Sequence, residues 1–133
     1  MKYLLDSHAF FWAATDEARL PAAVRATVAD SANTVGVSIV SFWEMAIKAS
    51  LGKWTLPISL TDLRSFATAE DISIQPITVE ITEIVQALPF HHGDPFDRAI
   101  VATCIDESWT LISADPAMDD YSDINRLWQP AAI

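Results

Sequence analysis

The chain has 133 residues, enough for one domain with a buried core, and 51% of them are hydrophobic, which argues against disorder. No apolar stretch approaches the roughly 18 residues that a membrane span needs, and the amino terminus begins on a strand pattern rather than a signal peptide. We therefore expect one cytoplasmic domain over residues 1–133 without membrane contact. The only cysteine, Cys104, excludes an internal disulfide and a cysteine zinc cluster.

The formal net charge of −10 disfavours a nucleic-acid binder, because affinity for a polyphosphate normally comes from lysine and arginine. Bound divalent cations would cancel part of this charge locally, and Lys48, Lys53 and Arg98 could still form a basic rim. A basic protein partner is the other natural interpretation of an acidic surface.

Strand and helix patterns alternate along the whole chain. In chain order they predict a strand over residues 2–6, helices over 8–14 and 21–30, a strand over 34–38, helices over 41–51 and 60–69, a strand over 72–76, helices over 78–88 and 95–107, a strand over 109–113, and a candidate edge strand over 124–128. This alternation predicts an α/β protein with a parallel sheet covered on both faces. Ligands bind such sheets at the carboxyl ends of the strands.

Four acidic residues stand where such a fold would bring them together: Asp6, Glu44, Asp97 and Asp115. Asp6 and Asp115 each follow a predicted strand, Glu44 interrupts an apolar run, and Asp97 opens a helix. Carboxylates gathered in one cleft repel each other by roughly 4 kcal/mol per close pair at an effective dielectric near 20. Such a cluster usually contains a cation, and ligands that are all oxygens suit Mg²⁺, with Mn²⁺ as an alternative.

Each of these acids also has a purely structural interpretation. Ser41-x-x-Glu44 has the pattern of a capping box, and Asp94-x-x-Asp97 is similar. Asp6 is placed to cap the helix that follows it, and Asp115 precedes a proline at a turn. For any one position alone the structural interpretation is favoured, but the four positions together favour a site.

Several segments resemble the PIN-domain nucleases, and in particular the VapC-type toxins of toxin–antitoxin pairs. The resemblance begins at Asp6-Ser7-His8-Ala9, continues through Ser41–Lys48 and Leu51-Gly52-Lys53, is strongest at His91–Arg98, and ends at Ser113-Ala114-Asp115-Pro116. Ser7 stands where threonine is common, and Gly93 where many relatives carry a basic residue.

The resemblance implies a three-layer α/β/α sandwich and a Mg²⁺-dependent endoribonuclease inhibited by a cognate antitoxin, commonly as a homodimer. The four acids fall on the family's acidic positions. We expect Asp6, Asp97 and Asp115 to hold one or two metal ions, and Glu44 to bind directly or through water. Activated water would cleave RNA to a 3′-hydroxyl and a 5′-phosphate.

Three further residues are candidates for contact with the substrate. Arg98 would either pair with Asp97 or steer a phosphate, and the hydroxyls of Ser7 and Ser113 lie beside proposed ligands. Two other functions stay open at this point: a phosphoryl-transfer or phosphatase-like domain with Asp6 as nucleophile, and a non-catalytic acidic module that grips a basic peptide.

Overall fold

A five-stranded sheet organises the chain, in a computed structural model that describes residues 1–129. Its strands are β1 (Lys2–Leu5), β2 (Thr34–Ser38), β3 (Ile72–Gln75), β4 (Thr110–Ile112) and β5 (Arg126–Leu127). They lie in the order β3-β2-β1-β4-β5, and every neighbouring pair is parallel. The first strand is therefore central, which places the residue that follows it in the middle of the carboxyl edge.

Helices connect the strands and cover both faces of the sheet. They are α1 (Ser7–Thr15), α2 (Ala22–Ala29), α3 (Ile39–Ser50), α4 (Leu60–Ala69), α5 (Val79–Ala87) and α6 (Pro95–Glu107), and two short 3₁₀ turns span Glu17–Arg19 and Pro116–Asp120. None of these helices is long and apolar enough to cross a bilayer.

Burial along the strands shows why the sheet needs cover on two sides. Successive strand residues point to opposite faces, and both Leu4 and Leu5 are fully buried. Leu5 packs in a core with residues of α1, α2 and α4, whereas Leu4 packs in a second core with residues of α5 and α6. The predicted three-layer α/β/α sandwich is confirmed.

The boundary of α3 differs from the prediction in a way that bears on the site. The strand β2 runs directly into the helix, and the hydroxyl of Ser38 caps it by accepting a hydrogen bond from the backbone N–H of Val40. Ser41 and Glu44 therefore lie inside α3, so the predicted capping box between them is wrong. The β-branched pair Ile39-Val40 reads as extended chain in the sequence, although it forms the first turn of the helix.

Other short sequence patterns have the local structures that are typical of them. Gly52 follows α3 with a φ of 71°, the left-handed conformation that favours glycine after a helix. Ser59 and Asp62 form a complete capping box at α4. Cys104 is buried in α6, and burial raises the pKa of its thiol to about 12, which makes the thiol unreactive at neutral pH.

Candidate active site

A cavity of about 140 Å³ lies at the carboxyl ends of β1 and β4. We call it the acidic cavity, and its lining is Asp6, Ser7, His8, Glu44, Lys48, Asp94, Asp97, Asp115 and Met118. All four acids singled out in the sequence line it. Asp94, which the sequence suggested only as a helix cap, also lines it.

Asp6 reaches the acidic cavity from the end of the central strand. Its backbone N–H donates to the carbonyl of Ile112 at 3.0 Å, which ties the ends of β1 and β4 together. Its Oδ1 accepts a hydrogen bond from the backbone N–H of Ala9 at 2.8 Å and so caps α1. The same side chain is a helix cap and a wall of the cavity, and the structural and functional interpretations of Asp6 are compatible.

Asp94 and Asp115 also combine a capping hydrogen bond with a place in the cavity lining. Asp94 caps α6, its Oδ1 accepting from the backbone N–H groups of Phe96 at 2.8 Å and Asp97 at 3.3 Å. Asp115 opens the second 3₁₀ turn, its Oδ1 accepting from the N–H of Ala117 at 2.9 Å. These bonds hold one oxygen of each carboxylate against backbone.

Glu44 reaches the cavity from within α3 and is only 3% exposed. Its Oε1 accepts a hydrogen bond from the Ser7 hydroxyl at 2.5 Å, and its Oε2 forms an ion pair with Lys48. The Ser7 oxygen also lies 2.9 Å from the hydroxyl of Ser41. Both oxygens of this buried carboxylate therefore have partners within the protein.

The electrostatics of Asp97 record the crowding of negative charge. Burial, as the largest cause, and repulsion from acidic neighbours together raise the pKa of its carboxyl to about 7. These neighbours are Asp94, Glu44, Asp6 and Asp115. Burial likewise raises the pKa of Asp6, although hydrogen bonds from Ser113 and from the backbone of Ala9 oppose the rise. Mutual repulsion of the clustered carboxylates therefore contributes to the raised pKa of Asp97, with burial as the larger cause.

The donor chemistry of the cavity fits a hard cation, because every acidic ligand presents oxygen. As the side chains are placed, however, no three acidic, histidine or cysteine groups within residues 1–129 lie close enough together to hold one metal ion between them. The hydrogen bonds described above account for this, since they draw the carboxylates toward helix ends, Ser7 and Lys48.

The residues predicted to contact substrate have other partners in the structure. Arg98 is 5% exposed and lies outside the cavity lining, and its guanidinium donates to backbone carbonyls at 3.0–3.5 Å, namely those of Val85, Leu88, Pro89 and His92. It pairs with no carboxylate among the described residues, so the first of its two predicted roles, pairing with Asp97, is not found. Its guanidinium instead holds the end of α5 and the loop before α6.

Ser113 and Ser7 are also buried, and of the two only Ser7 lines the acidic cavity. The Ser113 hydroxyl accepts from the backbone N–H of Asp115 at 3.1 Å, and Ser7 is engaged with Glu44. Both hydroxyls therefore support acidic residues. The imidazole Nε2 of His92 lies 2.8 Å from the carbonyl oxygen of Ala117 and connects the loop before α6 to the second 3₁₀ turn.

Two features of the cavity were missed in the sequence. Lys48 was expected only as part of a basic rim, yet it lines the cavity, and Asp94 adds a fifth carboxylate. Helical spacing carried both signals: Lys48 lies four residues after Glu44, and Asp94 three residues before Asp97, so each pair shares one face.

Comparison with known proteins agrees with this architecture. The PIN domain family matches residues 3–124. Ribonuclease VapC22 of Mycobacterium tuberculosis is 32% identical over 113 residues, which are 84% of this chain and 85% of that protein.

Two solved structures show the same fold. One is VapBC2 from Rickettsia felis, bound to a DNA fragment from the VapBC2 promoter. It aligns with a TM-score of 0.68 and 14% identity, and the alignment covers 97% of this chain and 100% of that chain. A toxin-antitoxin complex from Klebsiella pneumoniae aligns with a TM-score of 0.58 at 17% identity over 92% and 94%. The chain therefore belongs to the PIN-domain family, among its VapC-type members.

Proposed function

We propose that the chain is a metal-dependent endoribonuclease that acts in the cytoplasm as the toxin of a toxin–antitoxin pair. The observation that carries this proposal is the acidic cavity, in which five carboxylates and one lysine line a space at the carboxyl edge of a PIN-type sheet. Such an excess of negative charge needs a cation, and a phosphate backbone can approach the cavity only after much of that charge is neutralised.

Mg²⁺ is the cation we assign, with Mn²⁺ as the alternative. Mg²⁺ keeps several of its waters and usually binds through one or two carboxylates together with substrate phosphate. A cavity of about 140 Å³ has room for an ion with part of its hydration shell, since one water occupies about 30 Å³ in the liquid. A tight cage of three direct carboxylate ligands is therefore unnecessary.

The four predicted acids have distinct roles in the proposal. Asp6, Asp97 and Asp115 would hold the cation, in part through its coordinated waters, and Glu44 would bind it directly or through water. A bound divalent cation lowers the pKa of coordinated water and offsets negative charge on the phosphate. The oxygen of the attacking water would form a new bond to phosphorus, and that water would give up one proton to solvent. The bond from phosphorus to the 3′-oxygen would break, and this oxygen would take up a proton from solvent and leave as a 3′-hydroxyl, while the other product keeps a 5′-phosphate.

The hydroxyls act as positioning residues in this scheme. Ser7 fixes the orientation of Glu44, and Ser113 supports Asp115 and Asp6. Arg98 has no place among the residues that bind substrate, because its guanidinium is committed to backbone carbonyls.

The choice of RNA over DNA rests on the relatives. Hydrolysis by an activated water does not use the ribose 2′-hydroxyl, so the carboxylates alone select neither polymer. The relative that is 32% identical is a ribonuclease, which supports RNA as the substrate.

An antitoxin and a second copy of the chain are the proposed protein partners. The fold is shared with a toxin-antitoxin complex, and a basic antitoxin segment would complement the net charge of −10. For the second copy we assign an apolar groove of about 470 Å³ between α3 and α5, lined by Ile39, Val40, Trp43, Ile77, Ile81, Thr82, Val85 and Ala99. No lining residue is charged, so two acidic chains can meet there without bringing like charges into contact.

The test of the enzyme is cleavage of total cellular RNA by the purified protein, with Mg²⁺ or with EDTA. We expect cleavage with Mg²⁺ only. Asp97→Asn and Asp6→Asn should each lower the rate by about 100-fold or more, the scale of losing one essential charge from an active site. Circular dichroism should show that both variants remain folded.

Asp106→Asn is the matched control, because it makes the same chemical change at an exposed position of the same helix. Cleavage by Asp97→Asn at the wild-type rate, or cleavage that survives EDTA, would contradict the assignment. Binding of a basic peptide that is indifferent to metal, without cleavage of any nucleic acid, would favour the acidic interaction module. Hydrolysis of a phosphomonoester that is lost with Asp6 would favour the phosphatase-like alternative.

A further inference from the structure

Lys48 stands out because it is the only lysine or arginine that lines the acidic cavity within the described chain. Its ammonium pairs with Glu44 one turn earlier on α3, and the side chains are 30% and 4% exposed respectively. Exposed pairs of this spacing contribute little to stability. This pair differs, because its acidic partner is buried and would lack a charge partner without it.

The pair also determines how Glu44 is available to a ligand. One oxygen of Glu44 accepts from Ser7 and the other contacts Lys48. A cation that draws on Glu44, directly or through water, must compete with the ammonium for the second oxygen.

Lys48 extends toward α6 as well. Its Nζ lies 6.0 Å from the centroid of the Phe96 ring, at the start of the helix that carries Asp94 and Asp97. Asp94 and Asp97 line the same cavity as Lys48, so their negative charges attract the ammonium across the cavity. The ammonium is thus paired with Glu44 on α3 and faces the acidic start of α6.

From this geometry we infer that Lys48 is the internal counterion of the acidic cavity, which holds Glu44 in the metal-free chain and releases it when a divalent cation binds. The inference rests on the metal site proposed above and adds an exchange between the chain's own cation and the bound one. Ammonium and metal ion carry the same sign of charge and repel within one cavity. Lys48 therefore weakens metal binding while it stabilises the metal-free fold.

The decisive variant is Lys48→Met, which keeps the length of the side chain and removes its charge. Titration of the purified wild type and variant with Mn²⁺ by isothermal calorimetry should show binding to the variant at least about tenfold tighter, because a repulsive charge is lost and Glu44 is freed. A salt bridge that served only the fold would have the opposite effect or none, since its loss would misplace Glu44.

Lys53→Met is the matched control. It removes the same charge from an exposed position outside the cavity lining, so its effect on Mn²⁺ affinity should be less than about twofold because of screening. In EDTA, Lys48→Met should also melt at a lower temperature than Lys53→Met, since the carboxylates have then lost their counterion.

Equal or weaker Mn²⁺ binding by Lys48→Met overturns the inference. If that variant does not fold, Lys48→Gln carries the same test with a smaller polar side chain, and the same outcome overturns it. A wild type that takes up no Mn²⁺ overturns the metal site itself, and the exchange with it. The two failures differ, because in the first the wild type binds Mn²⁺ and the variant gains nothing.

Discussion

Asp97 is a carboxylate whose charged form the fold disfavours. Its pKa in the folded chain is raised to about 7 from an ordinary value of 3.8, by burial and by acidic neighbours. Above about pH 7 the folded chain must carry this charge at a cost that the unfolded chain does not have. Below the unfolded value both states are protonated and the cost disappears, so the destabilisation is lost as the pH falls from about 7 to about 4.

Asp97→Asn should therefore stabilise the metal-free protein at alkaline pH and not near pH 4. We expect a gain of about 1–2 kcal/mol in the free energy of unfolding near pH 8, less than the full shift implies because water partly screens the group. Urea denaturation in EDTA at several pH values measures it. Asp106→Asn, at an exposed position, should show no such pH dependence, and a gain from Asp97→Asn that is independent of pH would contradict the electrostatic account.

For single residues, the sequence is a good guide to which side chains lie close together, but a poor guide to the hydrogen bonds that each of them makes. The four acids could be chosen because each follows a strand, interrupts an apolar run or opens a helix. The partners of Arg98 could not be predicted, because the side chain of an arginine that follows an aspartate in the sequence can point to either side of the helix. In α6 the side chain of Arg98 is buried and turns toward the end of α5.

Among the elements, periodicity gives the strands and helices, and packing sets their ends. The alternation of strand-like and helical segments identifies every strand of the sheet, including the two-residue β5. The start of α3 depends instead on a hydroxyl cap at Ser38, which a β-branched pair conceals. The predicted start of α3 was therefore wrong because the β propensity of Ile39 and Val40 outweighed the capping signal of Ser38 in the sequence.

Gly36 shows how closely two elements pack. A Cβ atom at this position in β2 would lie 3.0 Å from the Cη2 atom of Trp109 and 3.2 Å from the hydroxyl oxygen of Ser73. Trp109 is buried immediately before β4. The glycine is therefore required for the packing of the indole on the sheet.

Gly36→Ala should destabilise the fold by about 1–3 kcal/mol, the usual cost of overpacking a core. Chemical denaturation measures the loss. In a Gly36→Ala, Trp109→Phe double variant the smaller ring should relieve the contact, so the combined loss should be smaller than the sum of the two single losses. Strict additivity of the two changes would show that the contact with Trp109 is not the cause.

For the whole molecule, topology explains the site. Residues 6, 44, 94, 97 and 115 come from four separated segments, and they share one cavity because β1 is central and flanked by β2 and β4. A parallel sheet predicted from sequence already places the ends of strands at one edge. The hydrogen bonds that each carboxylate makes depend on side-chain geometry that periodicity does not supply.

The apolar groove between α3 and α5 is the surface that we assign to a second copy, and Trp43 is the lining residue that best tests this assignment. Trp43 is 61% exposed although it belongs to the lining, and buried tryptophans often dominate interface energies. If a second copy covers the groove, light scattering after size exclusion should give twice the 14.6 kDa of one chain, and Trp43→Glu should weaken association by roughly 30-fold or more. Leu51→Glu introduces the same charge at an equally exposed apolar residue beyond the end of α3 and outside the groove, so it should leave the dimer intact. A monomeric wild type, or equal effects of the two substitutions, would show that this face is not where the copies meet.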